Sequence, residues 1–107
     1  MSFKKSEIWE WKNWKISWSL SKKSTRDNDI NILLVHGFGA SKKHWRHNQN
    51  FLGQFFNCYA IDLIGFGESS QPSALLDYEP DKENSTKYSF DLWSNQITKF
   101  CSEIIKS

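Results

Sequence analysis

Residues 36–41 read HGFGAS and follow the apolar run INILLV, residues 30–35, without a break. A continuous β-rich apolar run is the pattern of a strand covered on both faces, as in a parallel sheet. Its end delivers a glycine-rich turn that carries a histidine, and such a turn can be built to hold a phosphate, a proton or a substrate oxygen. Ser41 can cap a helix, on which Trp45, Leu52, Phe55 and Phe56 recur at helical spacing, with Gly53 a weak point. The segment NCYAIDLIGFGES, residues 57–69, then repeats the order of strand, glycine turn and small hydroxyl residue. A strand, a helix and a second strand form a right-handed crossover unit, so the fold class is α/β.

On the amino-terminal side, IWEWKNWKISWSLS, residues 8–21, alternates bulky and polar side chains. The apolar phase runs through Ile8, the Glu10 position, Trp14, Ile16, Trp18 and Leu20. Period two means strand, and the stretch predicts a hairpin turning near Lys12 and Asn13. The polar KKSTRDND that follows, residues 22–29, reads as a surface loop. On the carboxyl-terminal side, residues 71–88 are polar, contain Pro72 and Pro80, and read as a mobile surface excursion. Ser89 then caps a last helix whose apolar face is Phe90, Trp93, Ile97, Phe100, Ile104 and Ile105. The 107 residues form one domain, or part of one.

The 14 basic and 12 acidic side chains leave a net charge of +2 and are interspersed, which gives no electrostatic case for nucleic acid or an anionic membrane. Six tryptophans and eight phenylalanines are the aromatic bulk of a chain that buries a core. No segment approaches the ~18 consecutive apolar residues of a membrane span, and MSFKKSEIWEW has charges where a signal peptide needs its apolar stretch. The expected compartment is the cytoplasm. Cys58 and Cys101 are too few and too isolated for a disulfide framework or a zinc site and read as free, buried thiols. No metal or cofactor is expected.

Two chemistries fit the glycine turn. Gly37-x-Gly39 after a strand, with Asp62 ending the next strand, has the order of a dinucleotide-binding unit. Against that stand Lys42 at the third glycine position, the opening His36, and two strands preceding the motif. The alternative is an oxyanion loop, whose glycines turn the backbone sharply and leave the amide of Phe38 uncovered.

The combination of HGFGAS, Trp45, YAIDLIGFGES and YSFDLWSNQITKFC resembles the amino-terminal part of an α/β-hydrolase. Within that superfamily the sequence is most similar to the cyanobacterial and plastid branch that includes the pheophytinase-like proteins, and the tryptophan-rich opening IWEWKNWKISWSLS fits that branch as well. The resemblance implies the start of an α/β-hydrolase sheet: hairpin strands 1 and 2, strand 3, helix A, strand 4 and helix B, incomplete on its carboxyl-terminal side. The whole of 1–107 would be a partial core domain with a polar loop at about 71–88. It further implies that Phe38 is an oxyanion donor through its main-chain N–H, that His36, Gly37 and Gly39 shape that loop, and that Asp62, Gly65, Gly67 and Ser69 hold the next turn. His36 is a loop residue rather than the general base. The family's nucleophile sits in a GxSxG elbow after the fifth strand. The nearest approach here, Gly67-Glu68-Ser69-Ser70-Gln71, ends in glutamine and follows the fourth strand. The chain is therefore expected to be an inactive piece of a serine-type hydrolase of ester or related acyl bonds, or a non-catalytic half-domain. The partners implied are a small ester-like substrate for the complete protein and the missing carboxyl-terminal half. In the family's strand order, Ile30 to Val35 becomes an exposed edge, which is an aggregation hazard.

Overall fold

The computed structural model describes residues 2–23, 30–76 and 78–106, with side chains from Lys4 onward. Its main sheet has four strands, β1 (Ser2–Trp11), β2 (Trp14–Lys23), β3 (Asn31–Val35) and β4 (Asn57–Ile61), in the order β1-β2-β4-β3. β1 and β2 are antiparallel, β2 meets β4 antiparallel, and β3 runs parallel to β4 in the register Val35 opposite Ile61. β3 is thus the edge of the sheet.

The hairpin turns at Lys12 and Asn13, both with positive φ (54° and 67°). That is the backbone of a two-residue turn whose twist matches its strands. The turn also sets the phase of β1, and here the sequence expectation is corrected. Trp11 lies opposite Trp14 and Trp9 opposite Ile16, so Trp9 and Trp11 are buried while Ile8 is 54% exposed. Two indoles bury more apolar area than one isoleucine and a glutamate, and the hydrophobic effect selects that register. The stretch expected as a loop at residues 22–29 begins inside β2, and 24–29 lie outside the described residues.

β2 is buried on both faces from Ile16 to Ser21. Ile16, Trp18 and Leu20 face α2 (Phe90–Phe100), which continues as a π-helical turn over Cys101–Ile105. Ser17, Ser19 and Ser21 face the other way. There a 3₁₀ turn at Lys42–Trp45, capped by Ser41, leads into α1 (Arg46–Leu52). The two helices lie on opposite faces of the sheet, the layered arrangement of an α/β fold.

α1 differs from its expected apolar face. Phe55 is 54% exposed, Trp45 and Leu52 are half-buried, and the residue α1 buries is Gln49. Gln49 exchanges hydrogen bonds with the Ser19 hydroxyl and donates to the Cys58 carbonyl at 3.0 Å. Gly53, read as a weak point, is the place where the end of α1 meets β2. A Cβ there would run into the Ser21 side chain and sit 2.8 Å from its carbonyl oxygen. On α2, Trp93, Gln96 and Phe100 are buried and Ile97 half-buried, whereas Phe90, expected inside, is 83% exposed.

The 71–88 segment is mostly exposed, but it is tied down rather than loose. Two-residue strands β5 (Ser73–Ala74) and β6 (Ser85–Thr86) pair in parallel, Leu75 is buried, and the Tyr88 hydroxyl donates to the Pro72 carbonyl at 2.5 Å.

Candidate active site

The turn after β3 closes through the Ala40 N–H, which donates to the Gly37 carbonyl at 3.2 Å. Phe38 and Gly39 are its central residues, and Gly39 has φ +74°. A positive φ at the second central position is the signature of a type II turn, and glycine supplies it without steric cost. Gly37 has no such demand on it: a Cβ there would meet nothing within 4 Å. In this turn the N–H of the first central residue is outside the closing hydrogen bond, so the amide of Phe38 has no protein acceptor among the described residues.

His36 fixes the turn to the second glycine loop. It is 3% exposed, its Nε2 accepts from the Leu63 N–H at 3.0 Å, and its Nδ1 lies 2.8 Å from the Gly37 carbonyl. Because an amide N–H can only donate, Nε2 is the acceptor. The proton therefore sits on Nδ1 and is donated to Gly37. Both ring nitrogens are engaged in holding backbone, which leaves no lone pair for proton abstraction. The Phe38 ring packs edge-on against Phe66 and Trp93, with centroids at 5.4 and 5.1 Å.

The turn after β4 is organised by Asp62, whose side chain is fully buried. Its carboxylate accepts from the Lys42 N–H at 2.6 Å, the Lys42 ammonium at 3.0 Å and the Glu68 N–H at 2.9 Å. Gly65 and Gly67 have φ of +94° and +57°. At Gly67 a Cβ would collide with the Asp62 carboxylate, and at Gly65 it would lie 2.6 Å from the Tyr88 ring. Ser69 is buried, its hydroxyl donating to the Asp62 carbonyl at 2.7 Å and accepting from the Ser17 N–H at 2.9 Å. The Ser70 hydroxyl accepts from the Lys15 N–H at 2.8 Å. Both serines are committed to the backbone of β2 and its turn, and neither is placed beside a base.

Lys42 was an argument against a dinucleotide site because a side chain at that position hinders packing. In the structure it is buried and ion-paired with Asp62, so the one carboxylate that could have bound a ribose hydroxyl is already taken. Burial alone would lower the Lys42 pKa; the hydrogen bonds to Glu68 and Asp62 and the charges of both carboxylates outweigh it and raise the pKa above its ordinary value. Burial likewise pushes the Cys58 thiol up to about 11, which makes it an inert, protonated side chain rather than a nucleophile.

These shifts have a measurable sign. Between the ordinary thiol value of 9.0 and about 11, the unfolded chain has lost the Cys58 proton while the folded chain keeps it. The raised Lys42 pKa likewise makes the folded state hold more protons above 10.5. Where the folded state binds more protons, stability falls as pH rises. From neutral pH the urea midpoint should be level to about pH 9 and then decline, and Cys58→Ala should remove the part of the decline that begins there.

A cavity of about 450 Å³ opens beside the Phe38 turn, lined by His36, Gly37, Phe38, Leu63 and Phe66 and by Phe90, Trp93, Ser94, Ile97 and Thr98 of α2. Its lining is aromatic and aliphatic with a few hydroxyls and no charged side chain, the make-up of a small-molecule pocket. Sequence reasoning found the β3 turn but not the α2 side of this cavity, since Trp93 and Ser94 read as ordinary core and surface positions, nor the part played by Phe66 of the turn after β4. Gln96 was also missed. It is fully buried, accepts from the Ile64 N–H at 2.9 Å and donates to the Asp62 carbonyl at 3.2 Å, while the Trp93 indole donates to the Ile64 carbonyl at 3.0 Å. Together they bind α2 to the turn after β4. Among the described residues no group of histidine, cysteine and acidic side chains is arranged to hold a metal ion, and no helix is long and apolar enough to cross a membrane.

A half-parallel sheet with helices on both faces and glycine turns at the carboxyl ends of its parallel strands is an α/β architecture with its site where such folds place theirs. The profile of the alpha/beta hydrolase fold family matches residues 30–104, and the chain belongs to that family. Over 76 residues it is 37% identical to the pig protein named 1-acylglycerol-3-phosphate O-acyltransferase ABHD5, covering 71% of this chain and 22% of the relative. The human (Lyso)-N-acylphosphatidylethanolamine lipase is 29% identical over 76 residues, with the same coverages of 71% and 22%. Among solved structures, the haloalkane dehalogenase DbeA-M1 loop variant from Bradyrhizobium elkanii superposes with a TM-score of 0.72 at 19% identity, over 94% of this chain and 29% of that one. The chain thus spans about a fifth of the length of these curated relatives.

Proposed function

We propose that this chain carries the oxyanion-loop part of a serine-type hydrolase acting on an ester or related acyl bond. Phe38 supplies one main-chain donor, and the nucleophile, acid and catalytic histidine lie outside these 107 residues. The observation that carries this reading is the unengaged Phe38 amide, held in a type II turn by the His36 ring beside an apolar cavity. Serine is favoured over the aspartate nucleophile of dehalogenases and epoxide hydrolases because the acyltransferase and lipase relatives are named for acyl chemistry. The finer placement in the pheophytinase-like branch rests on the sequence motifs together with the tryptophan-rich hairpin, and the relatives reported above carry other names. The compartment we assign is the cytoplasm, where Cys58 and Cys101 stay reduced. A second reading is a non-catalytic half-domain that binds a partner, and what favours it is the outer edge of β3, which pairs with no strand among the described residues.

In a polypeptide that also contains the GxSxG elbow, an amide-to-ester replacement at Phe38 removes that N–H, and a second ester at Gly39, which leaves the Phe38 N–H in place, controls for the weaker acceptor that an ester carbonyl makes in this turn. Loss of one oxyanion donor is expected to lower kcat by about 10²–10³ with little change in KM. An unchanged kcat would remove Phe38 from the oxyanion hole.

A further inference from the structure

On the sheet face opposite the apolar cavity, a second opening of about 160 Å³ is lined by Lys4, Ser19, Lys42, Lys43, Arg46 and Glu68, among others. Four cationic side chains meet there, and Glu68 is the one carboxylate in the lining, with the Asp62 carboxylate behind Lys42. Three of the cations are held in place, and the Lys43 side chain is exposed. Lys4 donates to the Asn50 side chain at 3.2 Å, and Arg46 donates to the Lys43 carbonyl at 2.9 Å. Lys42 is 6% exposed and spends two of its three ammonium protons on Asp62 and Glu68, at 3.0 and 2.8 Å. An ammonium has three donors. The third has no protein acceptor among the described residues, on a side chain that lines the opening.

Glu68 is held differently. Its side chain is 62% exposed and reaches in from the turn after β4 to the Lys42 ammonium. The hydrogen bond from Lys42, followed by the charges of Lys42 and Lys43, lowers its pKa. It behaves as a tethered carboxylate resting in a positive opening, and a free anion of higher charge would compete for the same donors.

We propose that this opening is a binding site for a phosphate dianion, free or as a terminal monoester, which displaces the Glu68 carboxylate and bridges Lys42, Lys43 and Arg46. A tetrahedral dianion offers more acceptor oxygens than one carboxylate, so it can engage the third Lys42 proton and the Arg46 fork together. The source is either free phosphate or a lipid headgroup bearing a terminal phosphate. The site lies across the sheet from the Phe38 turn and does not depend on the hydrolase reading.

The test is titration of the 107-residue chain with inorganic phosphate at low ionic strength, followed by the amide shifts of Lys42 and Lys43. A parallel sedimentation compares phosphatidylcholine vesicles with and without a phosphomonoester lipid. Saturable shifts in the first arm assign free phosphate, and retention by the phosphomonoester vesicles alone assigns the headgroup. In either arm Glu68→Gln should tighten binding about threefold to tenfold, and Lys43→Ala and Arg46→Ala should each weaken it about fivefold to tenfold. Lys99→Ala, on the exposed side of α2, should leave it unchanged. The proposal is overturned by an absence of binding in both arms, by affinity that Glu68→Gln leaves equal or weaker, or by binding that survives Lys43→Ala and Arg46→Ala.

Discussion

Replacing Asp62 with alanine is expected to lower folding stability by about 3–5 kcal/mol, the effect of breaking a buried ion pair from one side. Asp62 has no exposed surface, and three donors converge on it: the Lys42 ammonium, the Lys42 N–H and the Glu68 N–H. Its removal leaves the buried Lys42 held only by Glu68, and it leaves two backbone donors without acceptors. Domains of this size have about 5–15 kcal/mol in total, so the loss is a large share. Asp62→Asn keeps the volume and one acceptor oxygen and should fall between the two. Urea unfolding followed by tryptophan fluorescence measures the difference. A midpoint within error of the parent chain for Asp62→Ala would mean that Asp62 does not organise the turn after β4.

Phe100→Ala should cost a similar ~3–5 kcal/mol, for an unrelated reason: it opens a cavity the core cannot refill. The Phe100 ring is fully buried and stands edge-on to Trp9, Trp18 and Tyr59, with centroids at 5.6, 5.6 and 6.2 Å. Those partners come from β1, β2 and β4, so this one side chain fastens α2 to three of the four strands. Indoles are rigid and do not collapse into the space, and the urea midpoint should drop by roughly 2 M. Phe100→Leu, which fills most of the volume, should recover more than half of the loss. Equal losses for alanine and leucine would show that ring geometry rather than volume holds α2 in place.

The parts of this fold that were legible in the sequence are those specified by local pattern. INILLV, HGFGAS, NCYAI and the Ser89-capped helix are runs whose periodicity or glycines decide the backbone without help from distant residues. What the sequence hid depends on partners far along the chain. Lys42, Gln49 and Gln96 look like surface residues, and all are buried because Asp62, Ser19 with Cys58, and Ile64 with Asp62 wait for them across the sheet. A buried polar group is stable only with such a partner, and single-sequence periodicity carries no information about it. The phase of β1 was hidden for another reason: the backbone of Lys12 and Asn13 sets the register, and the alternation on either side of the turn does not show it. Of the site, the Phe38 turn was legible from its glycines, while the α2 wall became visible only when helix and turn were seen packed together.

Asp62 links the two sides of the molecule. Its carboxylate holds Lys42 on the α1 face, and its carbonyl accepts from Ser69 and from Gln96 of α2, so the turn after β4, Lys42 and α2 are fixed to one buried residue.

The central claim is that these residues form one half of an oxyanion hole without a nucleophile. Incubating the 107-residue chain with a fluorophosphonate probe, followed by peptide mass spectrometry, tests it most directly. The account predicts no modified serine, because Ser69 and Ser70 are hydrogen-bonded to the β2 backbone and no GxSxG elbow is present. Stoichiometric labelling of either serine, or of any other in the chain, would contradict it.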